Sequence, residues 1–245
     1  DGVVVDNEVL YGRDGIYISN STGCQINNNR INHSRFAIHY MNSHANHVKN
    51  NHADSSSVGL ALMYSKNLEI VGNSVRGNST HGIFLRNLYF SRIVGNLAAG
   101  NADGFFLSGC SYDTLKANVT AGNMLGILVS DSKDNIVSGN AIRNNVEQIS
   151  YQDNYSQFWQ GNYWSDYLGW DRDGDGVGDQ IHYPVDIVSG FVSRYPVVRM
   201  IMYSPVMKLL QAMETQFPVL RPPGIIESEP LIRNPILVSI GGIDG

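Results

Sequence analysis

Gly59-Leu-Ala-Leu-Met-Tyr-Ser65, Gly82-Ile-Phe-Leu-Arg-Asn-Leu88 and Gly104-Phe-Phe-Leu-Ser-Gly-Cys110 are three copies of one strand, spaced 23 and 22 residues apart. The same frame reaches outward to Gly15-Ile-Tyr-Ile, Ala37-Ile-His-Tyr, Gly126-Ile-Leu-Val and Gln148-Ile-Ser-Tyr, at steps of 22. A second column repeats independently as Asn7, Asn29, Asn51, Asn73, Asn96, Asn118, Asn140 and Asn162. Its only step of 23 falls between Asn73 and Asn96, in the repeat that carries the other insertion. Asn78, Asn101, Asn123 and Asn145 form a third column. Registers that agree over seven repeats describe a solenoid.

Leucine-rich repeats share this period, but their L-x-x-L-x-L skeleton is missing. Each repeat instead holds two or three short β-type runs separated by Gly, Asn and Ser, the pattern of one coil of a right-handed parallel β-helix. In the glycine-led strand, the pairs Ile16/Ile18, Ile38/Tyr40, Leu60/Leu62, Ile83/Leu85, Phe105/Leu107 and Ile127/Val129 alternate with other residues. A strand period of two points these pairs inward. Ile26, Val48, Ile70, Ile93, Leu115 and Ile136-Val137 supply a second inner strand. Asparagine accepts left-handed backbone and bonds nearby main chain, and stacked amides can bond one another along the axis. The asparagine columns therefore read as structural, as does the turn column Ser21, Ser43, Ser65, Cys110 and Ser132.

The expected architecture is all-β. It comprises about seven coils over residues 1–163, an aromatic cap with an Asp/Gly-rich loop over 164–194, and a C-terminal helix with a proline-rich tail over 195–245. Gly161-Asn-Tyr-Trp-Ser-Asp-Tyr-Leu-Gly-Trp170 is aromatic enough to plug the open strand edges of a stack. Met202, Val206, Leu209, Leu210 and Met213 lie at helical spacing. Pro218, Pro222, Pro223 and Pro230 then impose extended chain that wraps the coil or a partner. The formal charge of −5 without a basic run argues against nucleic acid. No run of eighteen apolar residues is present to span a membrane. The opening Asp1-Gly2 shows no export signal, as a processed chain also would not. Cys24 and Cys110 fall four coils apart, about 19 Å at the spacing of stacked strands. That is far beyond disulfide reach, so two free thiols are expected.

Asp171-Arg-Asp173-Gly-Asp175-Gly-Val177-Gly-Asp179 carries the sharpest local motif. Carboxylates at positions 1, 3 and 5, glycine at 6, the Val177 carbonyl at 7 and Asp179 at 9 follow an EF-hand-type loop, whose hard oxygens suit Ca²⁺ in a structural role. Position 12 is His182 rather than glutamate, so the site is incomplete or closes with Asp166 or Asp186. Five of the seven histidines lie between His33 and His52. On the outer face of the glycine-led strand, His39 and Met41 fall together, and Met63 stacks beside Met41 one coil on. Two thioethers and an imidazole form a soft set that suits Cu(I); equally, these side chains could lie in a partner interface. The outer run Tyr17, His39, Ala61, Phe84, Phe106 and Leu128 calls for a cover, either the C-terminal segment or a partner. No G-x-S-x-G, H-E-x-x-H or Cys-x-x-Cys occurs. A carbohydrate-active β-helix enzyme, a lyase or epimerase, would draw on Asp103, Asp113, Asp131 and Arg86, and a purely structural surface solenoid would draw on none of them.

Gly12-Arg-Asp-Gly-Ile-Tyr17, Ile38-His-Tyr-Met-Asn-Ser43, Gly59-Leu-Ala-Leu-Met-Tyr-Ser65, the cap from Gly161 to Asp179 and Gln216-Phe-Pro-Val-Leu-Arg-Pro-Pro-Gly224 together resemble the NosD family. The match extends over roughly Gly12 to Pro235. Its most specific pieces are the tail and the His-Tyr-Met and Leu-Met-Tyr-Ser strands. The resemblance implies a periplasmic, non-catalytic accessory subunit docked on an ABC transporter made of a membrane permease and a cytoplasmic ATPase. Such a subunit receives copper, or a copper chaperone, and presents it to apo nitrous oxide reductase.

Overall fold

A computed structural model describes residues 1–152, 157–185, 204–207, 209, 213 and 224–236. The repeat becomes three parallel sheets of eight, eight and seven strands, each strand paired with its equivalent one coil away. The first sheet starts with Val3–Val5 and Gln25–Asn27 and the second with Glu8–Leu10 and Arg30–Asn32. The third holds the glycine-led strands, from Asp14–Ser19 to Glu147–Tyr151. The chain is a parallel β-helix.

Register follows the sequence frame: Ile38 pairs with Leu60, Leu60 with Ile83, and Ile83 with Phe105. The inward pairs are buried almost without exception and merge with Ile26, Val48, Ile70, Ile93, Leu115 and Val137 into one core. Ile136, next to Val137, is exposed. Cys24 and Cys110 are buried and free. Burial, with Asp113 beside it, pushes the Cys110 thiol up to about 12 and keeps it inert.

Asparagine does the work at the corner between the first two sheets. From Asn29 onward, each side chain in the Asn7-to-Asn162 column accepts from the backbone N–H and the side-chain amide of its predecessor, as Asn96 Oδ1 does from Asn73, both at 2.9 Å. The Asn78-to-Asn145 column repeats the arrangement at the corner between the second and third sheets. The single insertion lies at Ser79-Thr80. Two residues separate Asn78 from His81, where one separates Asn101 from Asp103. Thr80 and His81 N–H share the Ser57 carbonyl at 2.9 and 3.3 Å, a local bulge.

The C-terminal end of the stack is closed by Trp159 and Trp164, both buried, and by a returning segment at 224–236. Leu231 N–H bonds the Asn162 carbonyl, Glu227 and His182 exchange both backbone bonds, and Gly178 N–H bonds the Pro230 carbonyl. Glu227 is fully buried. Its Oε2 accepts from Asn162 N, Asn162 Nδ2 and Trp164 Nε1 at 3.3, 2.7 and 3.3 Å, so it stands where the next asparagine of the column would. The aromatic run does not all turn inward: Leu168 and Trp170 are exposed.

The outer face of the second sheet changes character along the axis. It carries Glu8, Arg30 and His52 in the first coils, then becomes a buried stripe of Leu97, Ala99, Val119, Ala121 and Ala141 on which Tyr163 and Ile236 pack. Most of the expected C-terminal helix lies outside the described residues. Within it, 205–207, 209 and 213 are helical, Met207 is buried, and Val206, Leu209 and Met213 are exposed. Pro218, Pro222 and Pro223 are also outside the described residues. Among the described residues no helix is long and apolar enough to cross a membrane.

Candidate metal-binding site

The third sheet presents its alternate residues outward, and stacking makes neighbours of residues one repeat apart. Met41 and Met63 are direct lateral partners, and His39 lies between Tyr17 and Ala61 in the next outward column. All three soft donors are half-buried.

His39 is held from several sides. Its ring packs against Tyr17 and Phe36, with centroids 4.9 and 4.7 Å away. Nδ1 donates to Asp14 Oδ2 at 3.1 Å. Arg35 clasps the same carboxylate through Nε at 3.1 Å and Nη2 at 2.7 and 3.0 Å, while its guanidinium lies 4.4 Å over the Phe36 ring. Partial burial pushes the Asp14 carboxyl up, but the bonds from His39 and Arg35 outweigh it and hold the group below its ordinary value. With Nδ1 engaged, Nε2 is the ring nitrogen left to a ligand. Two thioethers and an imidazole are the donor types that suit a soft monovalent cation.

Two further histidines meet carboxylates through Nδ1: His81 with Asp103 at 2.8 Å and His47 with Glu69 at 3.0 Å. His81 follows the inserted residues directly and touches Phe84 and Phe106, each at 5.2 Å. Neither has a thioether pair as lateral neighbour. Arg86 follows Met63 in its column, with its guanidinium turned over the Tyr64 ring at 5.8 Å.

In the Asp/Gly loop, carboxylate oxygens of Asp171, Asp173 and Asp175 come within 4.8 Å of one another. Asp171 accepts from Gly174 and Gly176 N–H at 2.7 and 2.9 Å, and Asp175 Oδ1 from Val177 N–H at 2.8 Å. The Asp179 carboxylate is turned away to accept from Arg172 N–H at 2.7 Å. Val177 pairs antiparallel with Leu231, which ties the loop to the tail. His182 packs on Trp164 and Tyr167, and burial lowers its imidazole to about 4. Asp186, a possible closing ligand, lies outside the described residues.

Of the acids that the polysaccharide alternative would draw on, only Asp113 is buried. Asp113 does not face outward: it is 1% exposed and sits inside a turn column, accepting from Ser91 N–H at 2.7 Å. Asp103 is paired with His81, and Asp131 is an exposed turn residue of positive φ. Periodicity did not reveal the Asp14–Arg35–His39 cluster. Asp14 precedes His39 by 25 residues, one coil plus three, so only the coil geometry joins them.

Fold and site together describe a β-solenoid that carries its candidate metal ligands on an outer sheet face. Residues 1–169 match the family described as "Periplasmic copper-binding protein (NosD)". The chain belongs to the NosD family. Two relatives named "Probable ABC transporter binding protein NosD" match over 93 residues, 36% of this chain. The one from Pseudomonas aeruginosa is 46% identical and the one from Stutzerimonas stutzeri 43%. The matched stretch covers only 22% and 21% of their lengths, so this chain aligns with about a fifth of each. QnrB1, a plasmid-mediated fluoroquinolone resistance protein, aligns with 66% of this chain and 86% of its own. At 13% identity and a TM-score of 0.19 that likeness carries no argument.

Proposed function

We propose that this periplasmic protein is the copper-handling accessory subunit of an ABC transporter and acts in assembly of the copper site of nitrous oxide reductase. The observation that carries the reading is the lateral pairing of Met41 with Met63 beside His39. Two thioethers and one imidazole bind Cu(I) in preference to hard cations. The outer position of the half-buried donors lets the ion be taken from a copper chaperone and passed to the apo-reductase. The transporter side, a permease and its ATPase, is served by the C-terminal region, where the described residues Val206, Leu209 and Met213 are exposed. Calcium at Asp171, Asp173 and Asp175 has a structural role, ordering the loop that holds the tail.

The test is anaerobic Cu(I) titration against a competing chelator, comparing the protein with its Met41→Ser/Met63→Ser double variant. The double variant is expected to lose tight binding, whereas equal affinity removes the site. Co-purification of the permease or the reductase with the protein from a denitrifying periplasm and membrane tests the assembly role.

A further inference from the structure

We propose that Asp14, clamped by Arg35, is the positioning residue that commits His39 to binding metal through Nε2. This rests on the copper-site reading above and adds to it a residue outside the donor set.

A neutral imidazole carries its proton on either nitrogen, and the hydrogen bond made by one decides which is left to coordinate. A carboxylate can only accept, so Asp14 Oδ2 at 3.1 Å fixes that proton on Nδ1. An imidazole oriented in this way by an acceptor is a stronger metal ligand. A solvated carboxylate would wander and fix nothing, but three contacts of 3.1 Å or less from Arg35 hold this one. The planar fork of arginine supplies direction as well as charge. Phe36 serves both partners, with one contact to the Arg35 guanidinium and another to the His39 ring. Tyr17 restrains the ring from the coil below.

His47 marks the contrast. Its carboxylate partner, Glu69, is shared with Lys49 at 2.7 Å and reached by Arg92 at 3.9 Å. The His47 side chain is 39% exposed against 12% for His39. Many residues can pair a surface histidine with an acid, but here the acid is itself immobilised and the ring is wedged.

The experiment compares the protein with Asp14→Ala and Asp14→Asn. Nitrogen-15 NMR of the metal-free protein reads the His39 tautomer, and X-ray absorption of the Cu(I)-loaded protein reads its ligands. Asp14→Ala is expected to lose the pure Nδ1–H form, to bind Cu(I) about 10- to 100-fold more weakly, and to lose the imidazole nitrogen while keeping two sulfurs. Asp14→Asn, turned to present its amide oxygen, is expected to restore the Nδ1–H form and the nitrogen ligand. An unchanged tautomer and unchanged nitrogen coordination in Asp14→Ala overturn the proposal. Should that variant not fold, a mixed tautomer or a missing nitrogen in Asp14→Asn overturns it. If His39→Ala and the double methionine variant bind Cu(I) like the parent, the site itself is refuted instead, a result distinct from failure at Asp14 alone.

Discussion

Asp113 occupies a place built for an amide. One oxygen accepts from Ser91 N–H, but Oδ2 is buried without a partner. One coil on, Asn135 turns its Nδ2 to the Cys110 carbonyl at 3.1 Å. Burial dominates, against the bonds from Ser91, and pushes the Asp113 carboxyl from 3.8 up to about 7. The folded chain therefore binds this proton more tightly than the unfolded chain. The stability it contributes is fully present below the ordinary aspartate range and is lost as pH rises through about 7. Asp113→Asn removes that dependence. It should raise stability at pH 8 by up to about 4 kcal/mol and change little at pH 4, as read by urea unfolding at both pH values. Burial pushes the Glu227 carboxyl up as well, and its Oε1 is buried without a partner, but its Oε2 satisfies three donors at the end of the stack. Glu227→Ala leaves those donors buried and unpaired, at about 1–3 kcal/mol for each group not reached by water. Limited proteolysis should then cut within 224–236 faster than in the parent.

Elements here are short because a coil is a triangle of runs, mostly of three and six residues with nine at Val58–Lys66 and His81–Tyr89, joined by corners that need left-handed backbone. Asn28, Asn50 and Gly72 fill one such corner at φ of 56, 55 and 66°. Strands this short are held by the columns between them as much as by their own ladders. Asn96 makes the point: Nδ2 donates to Ile70 and Val94 carbonyls and to Asn118 Oδ1, while Oδ1 serves Asn73. Asn96→Ala should cost about 3 kcal/mol through the donors and acceptors left unpaired, seen as a lower midpoint of thermal unfolding. The glycine leading the third-sheet strand has an equally local cause. A Cβ on Gly82 would stand 2.8 Å from both the Gly104 carbonyl and Asn101 Nδ2. In the second coil, where serine replaces that asparagine, Ala37 is accepted. Gly82→Ala should destabilise by about 1–3 kcal/mol. These columns were legible because one residue type repeats. The column Cys24, Asn46, Leu68, Ser91, Asp113 and Asn135 was not: its members differ in chemistry and share only position.

At the scale of the molecule, a solenoid must be ended, and this one ends on residues distant in the chain. Glu227 is 65 residues beyond Asn162, and the loop at 171–179 reaches the tail through Gly176, Val177 and Gly178. The calcium site proposed at the Asp171, Asp173 and Asp175 carboxylates would thereby be linked to docking of the tail. Adding EGTA to calcium-loaded protein should lower the unfolding midpoint and increase amide exchange at 227–232. A midpoint indifferent to calcium removes the structural role.

The sequence by itself determined the coil: its period, its inward face, its polar corners and the neighbour relation of Met41 to Met63. Those follow because a regular repeat turns a sequence interval into a spatial contact. Only the tertiary structure decided the clasp of Arg35 and Asp14 on His39, the burial of Asp113 and the closing of the ladder by Glu227. Those depend on side-chain direction and on chain returning from outside the repeat, and no interval in the sequence encodes either.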